Sequence, residues 1–448
     1  MRFKNFEQYK RLIRFMLNIV LVLCLTTIFV RFWSVDYNQG IVFPFYQKGY
    51  WLMGAFYAFF FLVFSYIFGG MKIGYLKSSN LILSQMMAVI GANVSIYLET
   101  VLLSVRFVNV VPILELCVWD GVIIFCWSFF VQKLFRKLFP PRNILLLYED
   151  YDPTPLLKKV KTRRDRYNIQ KSMYAGSRWE DITEEMKKYD AVFLCDIHSP
   201  LRNRLLKHCY AKGIRVYITP KISDIIIRSS ENMHMFDTPL LLSRNTGISF
   251  ESRLMKRLLD IVVSLLALII TSPLMLLVAA AIKLYDGGSV FFRQDRCTID
   301  GKVFSIHKFR SMVENAEKDG EVIPATEDDD RITPIGKFIR KTRLDELPQF
   351  IDILKGDMSV VGPRPERVEH VKQYTKEIPE FEYRLKVKGG LTGYAQIYGK
   401  YNTTAYDKLK LDLMYIQNYS ILLDIKLIIM TVKIMFMKES TEGFEEKK

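Results

Sequence analysis

Paired cysteines are missing from this chain. Its six cysteines (Cys24, Cys117, Cys126, Cys195, Cys209, Cys297) are scattered, and no two stand at C-x-x-C spacing. That argues against a zinc ribbon or a disulfide framework and reads as reduced thiols in a cytosol-facing protein. The G-x-x-x-x-G-K-[ST] run that cradles ATP phosphates is also missing, so no ATP-driven step is indicated. A third absence falls after the first strand-like stretch, Ile144-Leu145-Leu146-Leu147-Tyr148. A dinucleotide-binding domain carries G-x-G-x-x-G there, whereas this chain has Glu149-Asp150-Tyr151-Asp152-Pro153. Acids and a proline cannot present backbone N–H groups to a pyrophosphate.

Apolar residues are abundant and unevenly spread. They make up 50% of the 448 residues and crowd the first third and the stretch around 260–282. Runs at Phe15–Val30, about Trp51–Gly69, about Leu81–Val105 and about Val110–Val131 are each long enough to cross a bilayer. No small-residue cleavage site follows the first; Arg31-Phe32-Trp33 comes instead, which reads as an uncleaved helix. Arg2, Lys4, Lys10, Arg11 and Arg14 precede the block, and Lys133, Arg136, Lys137 and Arg142 follow it. Cations on both outer flanks place the N-terminus and everything after 132 in the cytoplasm. Glu99, Glu115 and Asp120 lie in or near spans three and four, where acids are functional candidates or bundle-internal polar contacts. The net charge of +16 points to anionic partners, and a membrane-embedded chain favours lipid head groups and phosphorylated substrates over nucleic acid.

Beyond Pro140-Pro141 the pattern changes. Strand-like Ile144–Tyr148, Asp190–Cys195 and Gly213–Ile218 alternate with helical stretches, which predicts a small parallel α/β domain over 140–250. With its glycine fingerprint absent, this domain reads as regulatory or structural, and dimerisation or nucleotide sensing through it stays open. Then Ile261–Ile282 runs without a charge, with Thr271-Ser272-Pro273 at its middle and cations at both ends. A helix hairpin over 254–285 that enters the bilayer, breaks at Ser272 and Pro273, and returns satisfies both features. A kinked fifth crossing also accommodates the proline.

The third segment, 251–448, carries the chemistry. Asp345-Glu346 stands in Arg340-Lys341-Thr342-Arg343-Leu344-Asp345-Glu346-Leu347-Pro348-Gln349, between Lys308-Phe309-Arg310-Ser311-Met312 and Val361-Gly362-Pro363-Arg364-Pro365-Glu366. A carboxylate can bind Mg²⁺ or attack phosphorus, while guanidinium and ammonium groups hold phosphate oxygens. Alone, such a dyad also reads as a solvated, salt-bridged helix face. Val290–Gln294 and Val303–Arg310 read as strands, Thr333–Thr342 as a helix capped by Thr333, and 369–388 as a helix. The region 313–332 reads as a helix followed by an acidic loop, Glu327-Asp328-Asp329-Asp330. Gly389-Gly390-Leu391-Thr392-Gly393 suggests a phosphate loop. Ile421–Met437, interrupted by Asp424, Lys426 and Lys433, suggests a helix lying at the membrane interface, and the end from Glu439 frays.

Taken in order, these pieces resemble the bacterial sugar transferase family, the polyprenyl-phosphate glycosyl-1-phosphate transferases. The matching residues are Arg257-Leu258-Leu259-Asp260, Ser272-Pro273, Lys308–Met312, Thr342–Gln349, Val361–Pro365, Gly390–Gly393 and Leu411-Asp412. With four N-terminal spans (1–139) and a degenerate Rossmann-like domain, the chain resembles the family's long form, whose members start capsule, exopolysaccharide or O-antigen repeats. The resemblance implies an enzyme of the bacterial inner membrane, working on its cytoplasmic face. It would move a sugar 1-phosphate from a UDP-sugar to undecaprenyl phosphate and release UMP. Asp345 would be the nucleophile and Glu346 a catalytic partner and Mg²⁺ ligand. Lys308, Arg310, Arg343 and Arg364 would hold phosphates, with Pro365 stiffening the arginine loop and Asp412 at a further polar position. A non-catalytic membrane scaffold is the competing reading, and a transporter built on the intramembrane acids a third.

Overall fold

A computed structural model describes residues 4–149, 152–243, 247–313, 329–400 and 403–435. The expected helix within 313–332, Glu327 and Asp328, and the segment from Glu439 lie outside the described residues. The chain divides into two compact units, Met1–Thr219 and Pro220–Lys448.

The first unit opens with four long apolar helices, α1 (Lys10–Phe32), α2 (Lys48–Phe68), α3 (Ser78–Ser104) and α4 (Val111–Leu138). Each packs on the next, and α4 returns to α1. All four are long and apolar enough to cross a membrane. Their outward surfaces carry exposed Leu23, Trp51, Leu98 and Phe125, while polar side chains turn inward. Asp120 is buried and accepts hydrogen bonds from Tyr57 Oη (3.1 Å) and Asn93 Nδ2 (3.2 Å). Ser128 Oγ donates to Gln85 Oε1 at 2.8 Å. These contacts give Asp120 a structural place in the helix packing.

A parallel sheet follows. It comprises β1 (Arg142–Tyr148), α5 (Thr154–Lys161), β2 (Tyr167–Tyr174), α6 (Trp179–Met186), β3 (Ala191–Cys195), α7 (Ser199–Ala211) and β4 (Arg215–Ile218), in strand order β2-β1-β3-β4. Strand β2 was not legible in advance, since its NIQKSM stretch lacks an apolar run. Ile144 through Leu147 are fully buried, as a central parallel strand covered on both faces requires. After β1, Glu149 Oε2 accepts the His198 backbone N–H at 2.7 Å, joining the ends of β1 and β3.

The second unit begins with α8 (Ile222–Arg228) and a hairpin of β5 (Glu231–Met235) and β6 (Thr238–Leu242). From sequence, 220–250 reads as part of the α/β domain. Here Ile222 and Ile225 join the core of the second unit, and Ser229 Oγ donates to Gln417 Oε1 at 3.0 Å. Helix α9 (Phe250–Asp286) follows and is a fifth segment long and apolar enough to cross a membrane. Next come the antiparallel pair β7 (Phe291–Cys297) and β8 (Val303–Phe309), then α10 (Pro334–Lys341) and α11 (Gln349–Lys355). Strand β9 (Ser359–Val361), α12 (Val368–Glu377), β10 (Gly390–Thr392), α13 (Tyr394–Tyr398), α14 (Ala405–Gln417) and α15 (Ile421–Met435) complete it. Thr333 caps α10, its Oγ1 accepting Gly336 N–H at 2.9 Å.

Helix α9 carries Ser272-Pro273 in its interior. Pro273 has no N–H for the Ile269 carbonyl, and the Ser272 hydroxyl donates to that oxygen instead at 3.0 Å. Thr271 Oγ1 similarly donates to Ala267 O at 2.7 Å. Both ends of α9 anchor in the same unit. Near its start, Lys256 Nζ donates to Asp424 Oδ2 (2.7 Å) and Val361 O (2.7 Å), and Arg257 donates to Ile353 O and Leu354 O (2.6 Å each). Asp260 Oδ1 accepts Val360 N–H at 2.9 Å. Near its end, Val278 and Ile282 pack with Phe309 and Ile339, and Asp286 pairs with Arg310. Between these anchors Leu265, Ile269, Ile270, Leu276 and Leu277 are exposed.

Lys256 and Asp424 form a buried pair, so removing one partner strands the other. Lys256→Ala is expected to cost about 3–5 kcal/mol, read as a lowered unfolding midpoint in detergent. A change below about 1 kcal/mol would show that the pair does not anchor α9.

Candidate functional site

The site forms where α10 ends. Arg343 adopts a left-handed backbone (φ 57°), a conformation costly for a side-chain-bearing residue. It turns the chain out of α10 into a 3-10 turn, Leu344–Glu346. Leu344 and Leu347 then pack into the cluster of Val278, Ile282, Phe309 and Ile339. The dyad between them is thereby seated against the second half of α9.

The two carboxylates have different surroundings. Glu346 Oε1 accepts from Lys308 Nζ at 3.1 Å and from the Arg364 guanidinium. Burial alone would raise Glu346, but Arg364 and Lys308 outweigh it and hold the carboxyl well below the usual range. Glu346 in turn raises Arg364. No described residue donates a side-chain hydrogen bond to Asp345. Burial, and then the charge of Glu346, push its carboxyl above the ordinary value, against Lys308, Arg340 and Arg364. Adjacent acids with acidities driven apart are suited to different roles, one as a fixed charge and one as a reactive oxygen.

Of the residues singled out from sequence, Asp345, Glu346, Lys308 and Arg364 come together, and Arg343 lies close enough to lower Glu346. Arg310 does not join them. It is buried, pairs with Asp286, and leaves Nε and Nη1 without partners. Asp412 also stands apart, buried against Arg384 with a 2.8 Å ion pair. Burial lifts it to about 6 despite that partner. Pro365 packs against Gly389, where a Cβ would lie 2.6 Å from its ring. Ser272 and Pro273 lie within α9, away from any charged group in their contacts. Sequence reasoning passed over Arg340, Arg296, Glu366 and Arg384. Arg384 sits in an alternating stretch of charges and aromatics that looks like an exposed helix face, so no local signal marked it.

Two N–H donors of the glycine segment are turned inward. Gly389 N–H donates to Thr298 Oγ1 (3.1 Å) and Gly390 N–H to Pro363 O (2.8 Å), so those donors are already used. Gly362 and Gly390 instead let β9 and β10 approach closely, since a side chain on either would meet the other segment's backbone. Among the described residues no group of three or more His, Cys, Asp or Glu could hold a metal. A hard cation here would therefore take one or two carboxylates from the dyad and its other oxygens from substrate and water, the usual arrangement for Mg²⁺.

Comparisons with known proteins include this unit and reach beyond it. A family model described as bacterial sugar transferase matches residues 251–438. The UDP-glucose:undecaprenyl-phosphate glucose-1-phosphate transferase of Klebsiella pneumoniae is 47% identical over 211 residues, covering 46% of this chain and 43% of that protein. The enzyme of the same name from Escherichia coli is 41% identical over 250 residues, covering 54% and 53%. The chain thus spans about half the length of these two relatives. The UDP-N-acetylgalactosamine-undecaprenyl-phosphate N-acetylgalactosaminephosphotransferase of Aeromonas hydrophila is 34% identical over 313 residues, covering 69% of this chain and 70% of its own length. That similarity extends well beyond the dyad and its loops, and the chain belongs to the bacterial sugar transferase family.

Proposed function

We propose that this protein transfers a sugar 1-phosphate from a UDP-sugar to undecaprenyl phosphate, the first membrane step in building a polysaccharide repeat. The observation that carries this reading is the dyad itself: an unpaired, partly buried Asp345 beside a Glu346 held by Lys308 and Arg364. The reactions named for the relatives support the donor and acceptor classes.

In the first step an Asp345 carboxylate oxygen attacks the phosphorus that bears the sugar. The phosphoanhydride bond breaks and UMP leaves with its electron pair. In the second, an oxygen of undecaprenyl phosphate attacks the same phosphorus. The aspartyl bond breaks, regenerating the carboxylate and leaving undecaprenyl diphosphate sugar. One anhydride replaces another, so no further energy source is required. Arg364, Lys308 and Arg340 oppose the repulsion between Asp345 and the anionic donor. Glu346 would hold Mg²⁺ together with donor phosphate oxygens, and the ion would supply charge neutralisation at the transferring group. Arg310, tied to Asp286, serves in this reading to brace the end of α9 rather than to bind the donor.

We further infer that α9 dips into the bilayer and returns to the cytoplasmic face, with the site at the water–lipid boundary. The anchoring of both its ends in one unit, and the exposed apolar residues between, support this topology. The four N-terminal helices would span the same inner membrane.

Asp345→Asn is expected to lower UMP release by at least about 10³-fold, assayed with undecaprenyl phosphate and a panel of UDP-sugars; near-native turnover would remove Asp345 from its role. Because burial and Glu346 raise the Asp345 carboxyl above its ordinary value and it must be ionised to attack, kcat/KM should fall on the acid side, and at a higher pH than an ordinary aspartate would give. An acid limb at or below that of a free aspartate would contradict this. Single cysteines at positions 254 and 285 should both react with a membrane-impermeant maleimide only from the cytoplasmic side. Labelling from opposite sides would establish a crossing helix instead.

A further inference from the structure

The Arg364-Pro365-Glu366 loop has all three of its carbonyls gripped from outside the loop, two from β7 and one from Arg384. Arg384 Nη2 donates to Arg364 O at 2.9 Å, Arg296 Nη1 to Pro365 O at 3.2 Å, and Cys297 N–H to Glu366 O at 3.0 Å. Of these donors Arg384 is the most enclosed, at 3% exposure. It lies 4.9 Å over the Phe381 ring, 2.8 Å from Asp412 Oδ2 and 3.6 Å from Glu366 Oε1. Lys408 stands 3.7 Å from the same Glu366 oxygen. Asp412 comes from α14, a helix that otherwise contributes Leu409, Leu413 and Ile416 to the core. A buried cation, two acids and the carbonyl of Arg364 thus form a continuous link from α14 to the guanidinium that holds Glu346.

We propose that Arg384 is a positioning residue: pinned by Asp412 and Glu366, it holds the Arg364 backbone so that the Arg364 side chain reaches Glu346 and faces the transferring phosphate. This rests on the phosphosugar-transfer reading above. A planar guanidinium suits the task because one rigid fork meets a carbonyl and two carboxylates together. A lysine keeps the charge but loses that geometry. The same link gives Asp412 its part. It lies away from the dyad and acts through Arg384, so its charge orients the donor side of the site rather than touching substrate.

The test uses the full chain in nanodiscs with undecaprenyl phosphate and UDP-glucose, UDP-galactose and UDP-N-acetylgalactosamine. Arg384→Lys should lower kcat by about tenfold or more with less than about threefold change in KM, because the lost contact matters most in the transition state. Asp412→Asn should give a smaller loss of the same kind. A purely structural role would reduce the amount of folded enzyme and leave kcat per folded enzyme where it was, so thermal melts accompany each assay. Folded variants with native kcat overturn the proposal, and failure of both variants to fold assigns Arg384 to the core and also overturns it. Absence of UMP release from the unmodified protein with every donor defeats the underlying reading, a result distinct from either.

Discussion

The site depends on an asymmetric treatment of two neighbouring carboxylates. Placing both in a partly buried pocket would be prohibitive if both carried charge without partners. Giving two cations to Glu346 resolves this. It becomes a fixed negative point, bound to Lys308 of β8 and Arg364 of the loop after β9, and it ties those two elements together. Asp345 is then left with charge nearby but no side-chain hydrogen bond from any described residue. A carboxylate unencumbered by donors is the better nucleophile, and burial beside Glu346, which raises the Asp345 carboxyl above its ordinary value, works in the same direction.

The scaffold around the dyad consists of successive layers that each limit the motion of the next. The left-handed Arg343 sets the exit from α10, and Leu344 and Leu347 press the turn against α9. Gly362 and Gly390 let β9 and β10 pack backbone to backbone, which fixes where the arginine loop begins. Helix α9 is anchored to this layer from its first turns by Lys256, Arg257 and Asp260, and from its last by Asp286. Polar groups at the helix ends and an apolar surface between them make α9 both part of the core and a candidate membrane element. Under the proposed function, that dual use would place a site for a soluble donor next to a lipid acceptor.

The first unit carries a parallel sheet in the order β2-β1-β3-β4, with Glu149 at the carboxyl end of β1 accepting the His198 backbone N–H. Burial of Ile144–Leu147 on both faces of the central strand stabilises this sheet from within.

Local residue patterns by themselves determined the apolar helices, the parallel strands with continuous apolar runs, the Thr333 cap and the short motifs around Asp345. These follow from periodicity, capping chemistry and charge, properties readable over a few residues. Strand β2 escaped because it has no apolar run, and 220–250 was placed with the wrong neighbour because packing of Ile222 and Ile225 is not written in any window. Only tertiary structure decided which cations reach the dyad. Lys308 of β8 and Arg310 just past its end are two residues apart, yet one meets Glu346 and the other Asp286. Arg384 and Asp412 are 28 positions apart in sequence and touch in space. Charge pairing in a core is a long-range choice, settled by how helices and strands close on one another, and no spacing along the chain encodes it.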